Sequence, residues 1–240
     1  MKLLQGDCLE LLPTIPDGSV DLILCDPPYG TTDCSWDSVI PFAPLWAEYK
    51  RILKPKGIVV LFSAQPFTTE VINSNRKDFR YCWYWFKKQA TGFTFARYQP
   101  MRKVEDICVF YRSHGTYNPQ GLQELHNAKP KKKRKPSGDS VYKMDTLLNE
   151  YTPRFTNYPK NVLQFDSERG LHPTQKPVPL LEYLVKTYTN PGDTVLDNCM
   201  GSGSTGVAVK RAGGRHFIGI EQNPEYFEIA KKRIEEEAQE

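Results

Sequence analysis

Thr194-Val195-Leu196-Asp197-Asn198-Cys199-Met200-Gly201-Ser202-Gly203-Ser204-Thr205-Gly206 reads as a short apolar strand, a carboxylate at its tip and a glycine-rich loop. A helix to about Ala212 follows, then a second strand, His216 to Ile220, that ends on Glu221. Strand, glycine loop, helix, strand and acid make a βαβ unit, which places parallel strands side by side with the loop facing a ligand. The glycines let backbone approach that ligand. A carboxylate at the end of the second strand suits a pair of ribose hydroxyls. Gly201, Gly203 and Gly206 match the spacing of the dinucleotide fingerprint. Asp197 to Met200 nevertheless stand between strand and glycines, and a carboxylate there repels a pyrophosphate and favours a cationic or amino-bearing ligand.

The alternation extends upstream. Met1–Leu4 is a short strand with Asp7 just past its tip, and Val20–Cys25 is a buried strand closed by Asp26-Pro27-Pro28-Tyr29. Phe42, Leu45, Trp46, Tyr49, Ile52 and Leu53 recur at helical spacing. Ile58–Phe62 predicts another buried strand and Thr68–Asn73 another helix. Arg80–Phe86 and Val104–Tyr111 read as an antiparallel pair joined by the polar turn 87–93. Val178, Leu181, Leu184, Val185 and Tyr188 mark a helix ahead of Thr194, and Asn223-Pro224 starts a last charged one. The pattern is α/β, a doubly wound, mostly parallel sheet. Residues 112–165, poor in apolar periodicity, read as an inserted, partly mobile region between a first half, 1–111, and a second, 166–240.

Composition narrows the class. The 240 residues carry a net charge of +4, but Lys129, Lys131, Lys132, Lys133, Arg134 and Lys135 form one block whose removal turns +4 into −2. Basicity is thus a property of one loop, suited to phosphates. Cys8, Cys25, Cys34, Cys82, Cys108 and Cys199 show no C-x-x-C spacing and read as free thiols, with no metal site implied. No apolar run reaches membrane-spanning length, and Met1–Asp7 lacks a signal peptide's apolar core, so a cytoplasmic protein is expected.

Asp26-Pro27-Pro28-Tyr29 carries the chemistry. Two prolines fix φ twice and remove two donors, leaving a carboxylate, a rigid carbonyl and an aromatic ring together in a stiff loop. Such a loop can accept both hydrogens of a planar NH2 group while a ring stacks on the attached base.

Three segments carry a resemblance. Asp26-Pro27-Pro28-Tyr29, His172-Pro173-Thr174-Gln175-Lys176-Pro177 and Asp197–Gly206 resemble, in this order, the motifs of S-adenosylmethionine-dependent DNA amino-methyltransferases of the β group. Asn198 and Cys199 depart from the Pro-Phe usual there, and Ser204 replaces a Thr. The resemblance implies a Rossmann-like methyltransferase fold in circularly permuted order, a seven-stranded sheet and an inserted target-recognition region. It implies S-adenosyl-L-methionine as cofactor and double-stranded DNA as partner. A homodimer and a separately acting restriction endonuclease also follow from it. Asp26, Pro27, Pro28 and Tyr29 would be catalytic. Asp7 would bind the cofactor's adenine amino group and Glu221 its ribose, with Cys8 and Gln222 as further cofactor contacts. Asp197, Gly201, Ser202, Gly203 and Thr205 would hold its amino-acid part, with Thr174, Lys176 and Pro177 closing over the methionine end, and Asn198 and Asp26 as further cofactor contacts. Lys131, Lys132, Lys133 and Arg134 are candidates for phosphate contact, joined by Lys87, Lys88, Arg97 and Arg102, while Tyr29 is the candidate for stacking on the flipped base and Phe93 a second.

Adenine N6 is the expected target, since Asp at the first motif position resembles the adenine enzymes. Cytosine N4 stays open as an alternative, as does methylation of RNA or protein by a related loop. Cytosine C5 chemistry is disfavoured because no Pro-Cys pair occurs. A nicotinamide-dependent oxidoreductase would use Gly201–Gly206 but leave Asp26–Tyr29 unexplained, and a non-catalytic DNA-binding module would need neither.

Overall fold

In the computed structural model, residues 1–31, 37–126, 128–130, 152–168 and 175–237 are described. The elements in chain order are β1 (Lys2–Gln5), α1 (Cys8–Leu11), β2 (Val20–Cys25), α2 (Phe42–Ile52), β3 (Leu53–Ser63), α3 (Phe67–Ser74), β4 (Phe79–Thr91) and β5 (Arg102–Phe110). There follow β6 (Gln123–Glu124), β7 (Phe155–Thr156), β8 (Val162–Phe165), α4 (Val178–Tyr188), β9 (Thr194–Asp197), α5 (Ser204–Ala212), β10 (His216–Glu221) and α6 (Pro224–Glu236).

The chain divides into two compact units, one of residues 1–118 with 161–240 and one of residues 119–160. The first holds an eight-stranded sheet ordered β1-β10-β9-β2-β3-β5-β4-β8. Only β5 runs against its neighbours β3 and β4, while the other five pairings are parallel. The α/β reading with a large, mostly parallel sheet therefore holds. The sheet has one strand more than the resemblance implied. That strand, β8, lies inside 112–165 and pairs with β4 from Tyr84↔Val162 to Lys87↔Phe165. Its Leu163 is buried, which is what ties so short a strand to the sheet.

Side chains alternate across β2, as strand geometry dictates. Leu22 and Leu24 face one core, with Leu181, Leu184 and Val185 of α4 and Val207 of α5. Ile23 and Cys25 face the other, with Trp46 and Tyr49 of α2 and Phe67 and Val71 of α3. Helices thus cover both faces. The two halves meet where β2 pairs with β9, Leu22↔Val195 and Ile23↔Leu196. That is a change of winding, where open α/β sheets place ligands beyond the strands' carboxyl ends.

Two strands differ from their expected bounds. β3 begins at Leu53, straight after α2, because Leu53 turns to extended backbone (φ −71, ψ 136). β4 runs on to Thr91, so Lys87–Thr91 is strand, not turn. In the second unit, β6 and β7 form an antiparallel pair, with Arg154 beside Glu124 at 3.3 Å and Asn157 donating to the Gly121 carbonyl at 2.7 Å.

Among the described residues no helix is long and apolar enough to cross a membrane. The described cysteines are free thiols.

Candidate active site

Parallel pairing puts four carboxylates on one edge. β1 leads to Asp7, β10 ends on Glu221, β9 ends on Asp197 and β2 leads to Asp26. These strands are consecutive in the sheet, so Asp7 to Asp26 spans three strand spacings, roughly 14 Å. The acids line one cleft of about 1360 Å³. β4 runs parallel to β3 and ends at the same edge, and antiparallel β5 starts there. Lys87 and Glu105 therefore open into the same cleft.

At the β2 end, Asp26 accepts from the Tyr29 hydroxyl at 2.7 Å through Oδ1 and from the Lys176 ammonium at 2.6 Å through Oδ2. Lys176 is buried and also lies 3.4 Å from Glu105 Oε2. Glu105 Oε1 accepts from Lys87 at 2.9 Å. Four charges thus run in alternating sign: Asp26, Lys176, Glu105, Lys87. Burial works to raise the Glu105 pKa, but the two ammoniums outweigh it and hold Glu105 below the usual carboxylate range. Burial works to lower that of Lys176, and Asp26 and Glu105 outweigh it in turn. At Asp26 burial prevails over the pull of Lys176, and the carboxyl lies above its ordinary range.

The loop is stiffened from outside the motif. Asp37, buried, accepts from the backbone N–H groups of Tyr29 (2.8 Å) and Gly30 (2.9 Å) through Oδ1, and of Thr31 (2.9 Å) through Oδ2. Gly30 has φ +66, a left-handed turn that glycine adopts at no steric cost. The Tyr29 ring stacks on Phe67 at 5.0 Å, so one of its faces is already covered. Pro27 and Pro28 line the cleft.

At the β9–β10 end, backbone N–H groups hold Glu221 and share Asp197 with the Thr205 hydroxyl. Glu221 accepts from the N–H of Gly201 at 2.8 Å and of Asn223 at 2.8 Å. Asp197, almost wholly buried, accepts from the N–H of Cys199 at 3.1 Å. Burial pushes its pKa up to about 7, against hydrogen bonds from Thr205 and Cys199 that pull it down. Asp7 caps α1, accepting from the N–H of Leu9 at 2.7 Å. Asn198 accepts from the Tyr49 hydroxyl at 2.5 Å. Cys8, Asn198, Gly201, Ser202, Thr205 and Gln222 line the cleft.

The expected residues do not all take the expected places. Gly203 faces α6: an added Cβ would come within 2.9 Å of Ala230 Cβ, so this glycine serves helix packing. Pro177 is buried at the start of α4 and outside the cleft lining. Lys176 points at Asp26. Lys87, grouped with phosphate contacts from sequence, is only 5 % exposed and paired with Glu105. Buried and neutralised, it cannot reach a phosphate backbone. Lys88 is exposed beside Asp166 at 3.3 Å, and Arg97, Arg102 and Phe93 are exposed. Thr174, Lys131, Lys132, Lys133 and Arg134 lie outside the described residues. Sequence reasoning missed Glu105, Asp37 and Phe67. Only Lys87 and Glu105 carried a signal, their phase with Trp83, Trp85 and Ile107 on β4 and β5.

Comparison with known proteins supplies the family. Residues 20–232 match the family model described as DNA methylase. The type II methyltransferase M.HpaI of Haemophilus parainfluenzae is 30 % identical over 98 % of this chain and 74 % of its own length. The DNA adenine methyltransferase YhdJ of Escherichia coli strain K12 is 32 % identical over 97 % of this chain and 82 % of its own. The crystal structure of the M1.HpyAVI–SAM complex superposes with a TM-score of 0.64 at 26 % identity, covering 97 % of this chain and 98 % of that one. The chain belongs to the DNA methylase family and is an S-adenosylmethionine-dependent DNA amino-methyltransferase. The cleft fits that cofactor by its donor chemistry: carboxylates for ribose hydroxyls and for an amino group line the same cleft as Asp26.

Proposed function

We propose that this DNA methyltransferase acts at a specific site and modifies the N6 amino group of adenine after the base leaves the duplex. The observation that carries this is Asp26, in the same cleft as Asp197 and Glu221 and with both carboxylate oxygens turned to donors. The resemblance to adenine enzymes at Asp26, and the adenine methyltransferase among the relatives, support adenine over cytosine.

S-Adenosylmethionine supplies, when bound, a methyl group activated on a sulfonium sulfur. Asp7, Glu221 and Asp197 would hold its adenine, ribose and amino group. The amine of adenine is a poor nucleophile because its lone pair is delocalised into the ring. Asp26 and the Pro27 carbonyl, by accepting its two N–H hydrogens, favour a pyramidal nitrogen with a localised lone pair. Their fixed positions lower the barrier mainly by orientation. The same acceptors stabilise the cation that develops on nitrogen, and Asp26 or water takes its proton. Tyr29 holds Asp26 in place through its hydroxyl.

For DNA we assign the exposed turn between β4 and β5. Phe93 and Tyr98 are 81 % and 87 % exposed there, interleaved with Arg97 and Arg102. Exposed aromatics among arginines suit unstacked bases and phosphates. The basic block would add affinity without sequence information. On this reading the enzyme works in the cytoplasm on double-stranded DNA, as a homodimer alongside a separate restriction endonuclease.

Mass spectrometry of nucleosides from DNA treated with the enzyme and cofactor tests the reading. N6-methyladenine is expected. N4-methylcytosine alone would transfer the assignment to cytosine, and no methylated nucleoside would refute it.

A further inference from the structure

Both oxygens of Asp26 carry a donor, and one of these donors is a full positive charge. The Lys176 ammonium, 2.6 Å from Oδ2, takes one of the acceptor positions open to an adenine N–H. An amine that gains positive charge beside that ammonium would be repelled. The pocket holds a second acceptor for the same ammonium. Glu105 Oε2 lies 3.4 Å from Lys176 Nζ, buried, and accepts no hydrogen bond among the described residues. A buried carboxylate oxygen without a hydrogen bond is costly unless it is used in another arrangement. Exchanging the two contacts takes a movement of less than about 1 Å, the difference between a hydrogen bond and a loose ion pair.

We propose that Lys176 is a two-position ammonium: it rests on Asp26 Oδ2, and passes to Glu105 Oε2 when the base amine takes Asp26. Lys87 anchors the receiving carboxylate through Oε1 at 2.9 Å, leaving Oε2 for Lys176. Glu105 is then a positioning residue for methyl transfer, and Lys87 is the group that orients it. The scheme rests on the reading of Asp26 as the amine acceptor. It makes Lys176 useful in both positions, since on Glu105 it still pulls the Asp26 carboxyl down against burial while leaving Oδ2 to the amine. The charged and titratable groups facing Asp26 are Lys176, Glu105 and Tyr29, with Asp197 and Cys25 nearby and Lys87 behind Glu105.

The test is steady-state methyl transfer to a duplex carrying the enzyme's own site, located beforehand by sequencing DNA that it has modified. Glu105→Gln leaves Lys176 on Asp26. It is expected to lower kcat/KM for DNA about tenfold to a hundredfold, the worth of one charge-assisted hydrogen bond, while calorimetric binding of S-adenosylmethionine is kept. Adding Lys176→Met to Glu105→Gln removes the competing ammonium. It is expected to restore most of the loss, with the acid limb of the rate profile moved to higher pH. No restoration in a double variant that still binds cofactor would overturn the scheme.

Should the double variant fail to fold, a crystal structure of the native enzyme with that duplex and S-adenosylhomocysteine decides instead. Lys176 Nζ on Glu105 supports the scheme, and Nζ still on Asp26 with adenine in the pocket contradicts it. Asp26→Ala, assayed alongside, separates the two readings. If it retains turnover, the amine-acceptor reading fails. If it is inactive and the double variant is not restored, only the two-position scheme fails.

Discussion

The two ends of the cleft use the same side chain, a carboxylate at a strand end, and hold it differently. At the cofactor end, Asp7 and Glu221 are fixed by backbone N–H groups, and Asp197 by the Cys199 N–H together with the Thr205 hydroxyl. At the acceptor end, Asp26 is held by two side chains, Tyr29 and Lys176, within a chain of alternating charges. Backbone donors are set by the fold and cannot be redirected. Side-chain donors can move when a competitor arrives. On the proposed reading, the cofactor end binds one ligand in one pose and the acceptor end changes partners during the reaction.

Asp26→Ala tests that contrast with the largest expected effect. Methyl transfer should fall by about a hundredfold to a thousandfold, the scale of losing one preorganised electrostatic partner, with cofactor affinity nearly unchanged. Single-turnover transfer beside calorimetric titration measures both. Glu221→Ala should give the reverse pattern: cofactor affinity lower by about tenfold to a hundredfold, because Gly201 and Asn223 lose their acceptor together with the ribose contact.

The pH dependence of cofactor binding sharpens the contrast further. Asp197 has its pKa raised to about 7 by burial, so its protonated form dominates below that pH and cannot attract a cationic amino group. Affinity should fall as pH drops through about 7, by up to about tenfold per unit, and level off above it. Asp197→Asn should flatten the curve at the lower level. The same shift has a sign for stability. An acid whose folded pKa is raised favours the folded state most below its unfolded pKa, so this contribution is lost as pH rises through about 7.

Asp37→Ala should cost about 2 kcal/mol in urea unfolding, since three backbone N–H groups of the catalytic loop lose their acceptor. The smallest effect is expected at the hairpin turn. Arg102→Gln should leave transfer at low salt nearly intact and reduce the slope of log affinity against log salt by about one.

How much of this was legible in the sequence depended on the signal each element carries. β2, β9 and β10 were readable because buried parallel strands are continuous apolar runs closed by a turn and an acid. β8 was not, because only Leu163 of its four residues is buried, while Val162 is 49 % exposed. At the site, Asp26, Asp197 and Glu221 were found as strand-end acids. Lys87 was misassigned because a lysine in a polar stretch reads as surface. Its phase was the better guide: Trp83, Trp85 and Lys87 alternate on the same face of β4, and all three are buried. Glu105 shares that logic, lying opposite Trp85 and in phase with Ile107 on β5. Asp37 carried no local signal, since its partners are backbone groups six to eight residues away and depend on the folded loop.

A crystal structure of the enzyme with S-adenosylmethionine tests the common cleft most directly. Adenine is expected at Asp7, ribose on Glu221, the amino group by Asp197 and the methyl-bearing sulfur facing Asp26. A cofactor bound with its sulfur turned away from Asp26, or in a different cavity, would contradict it.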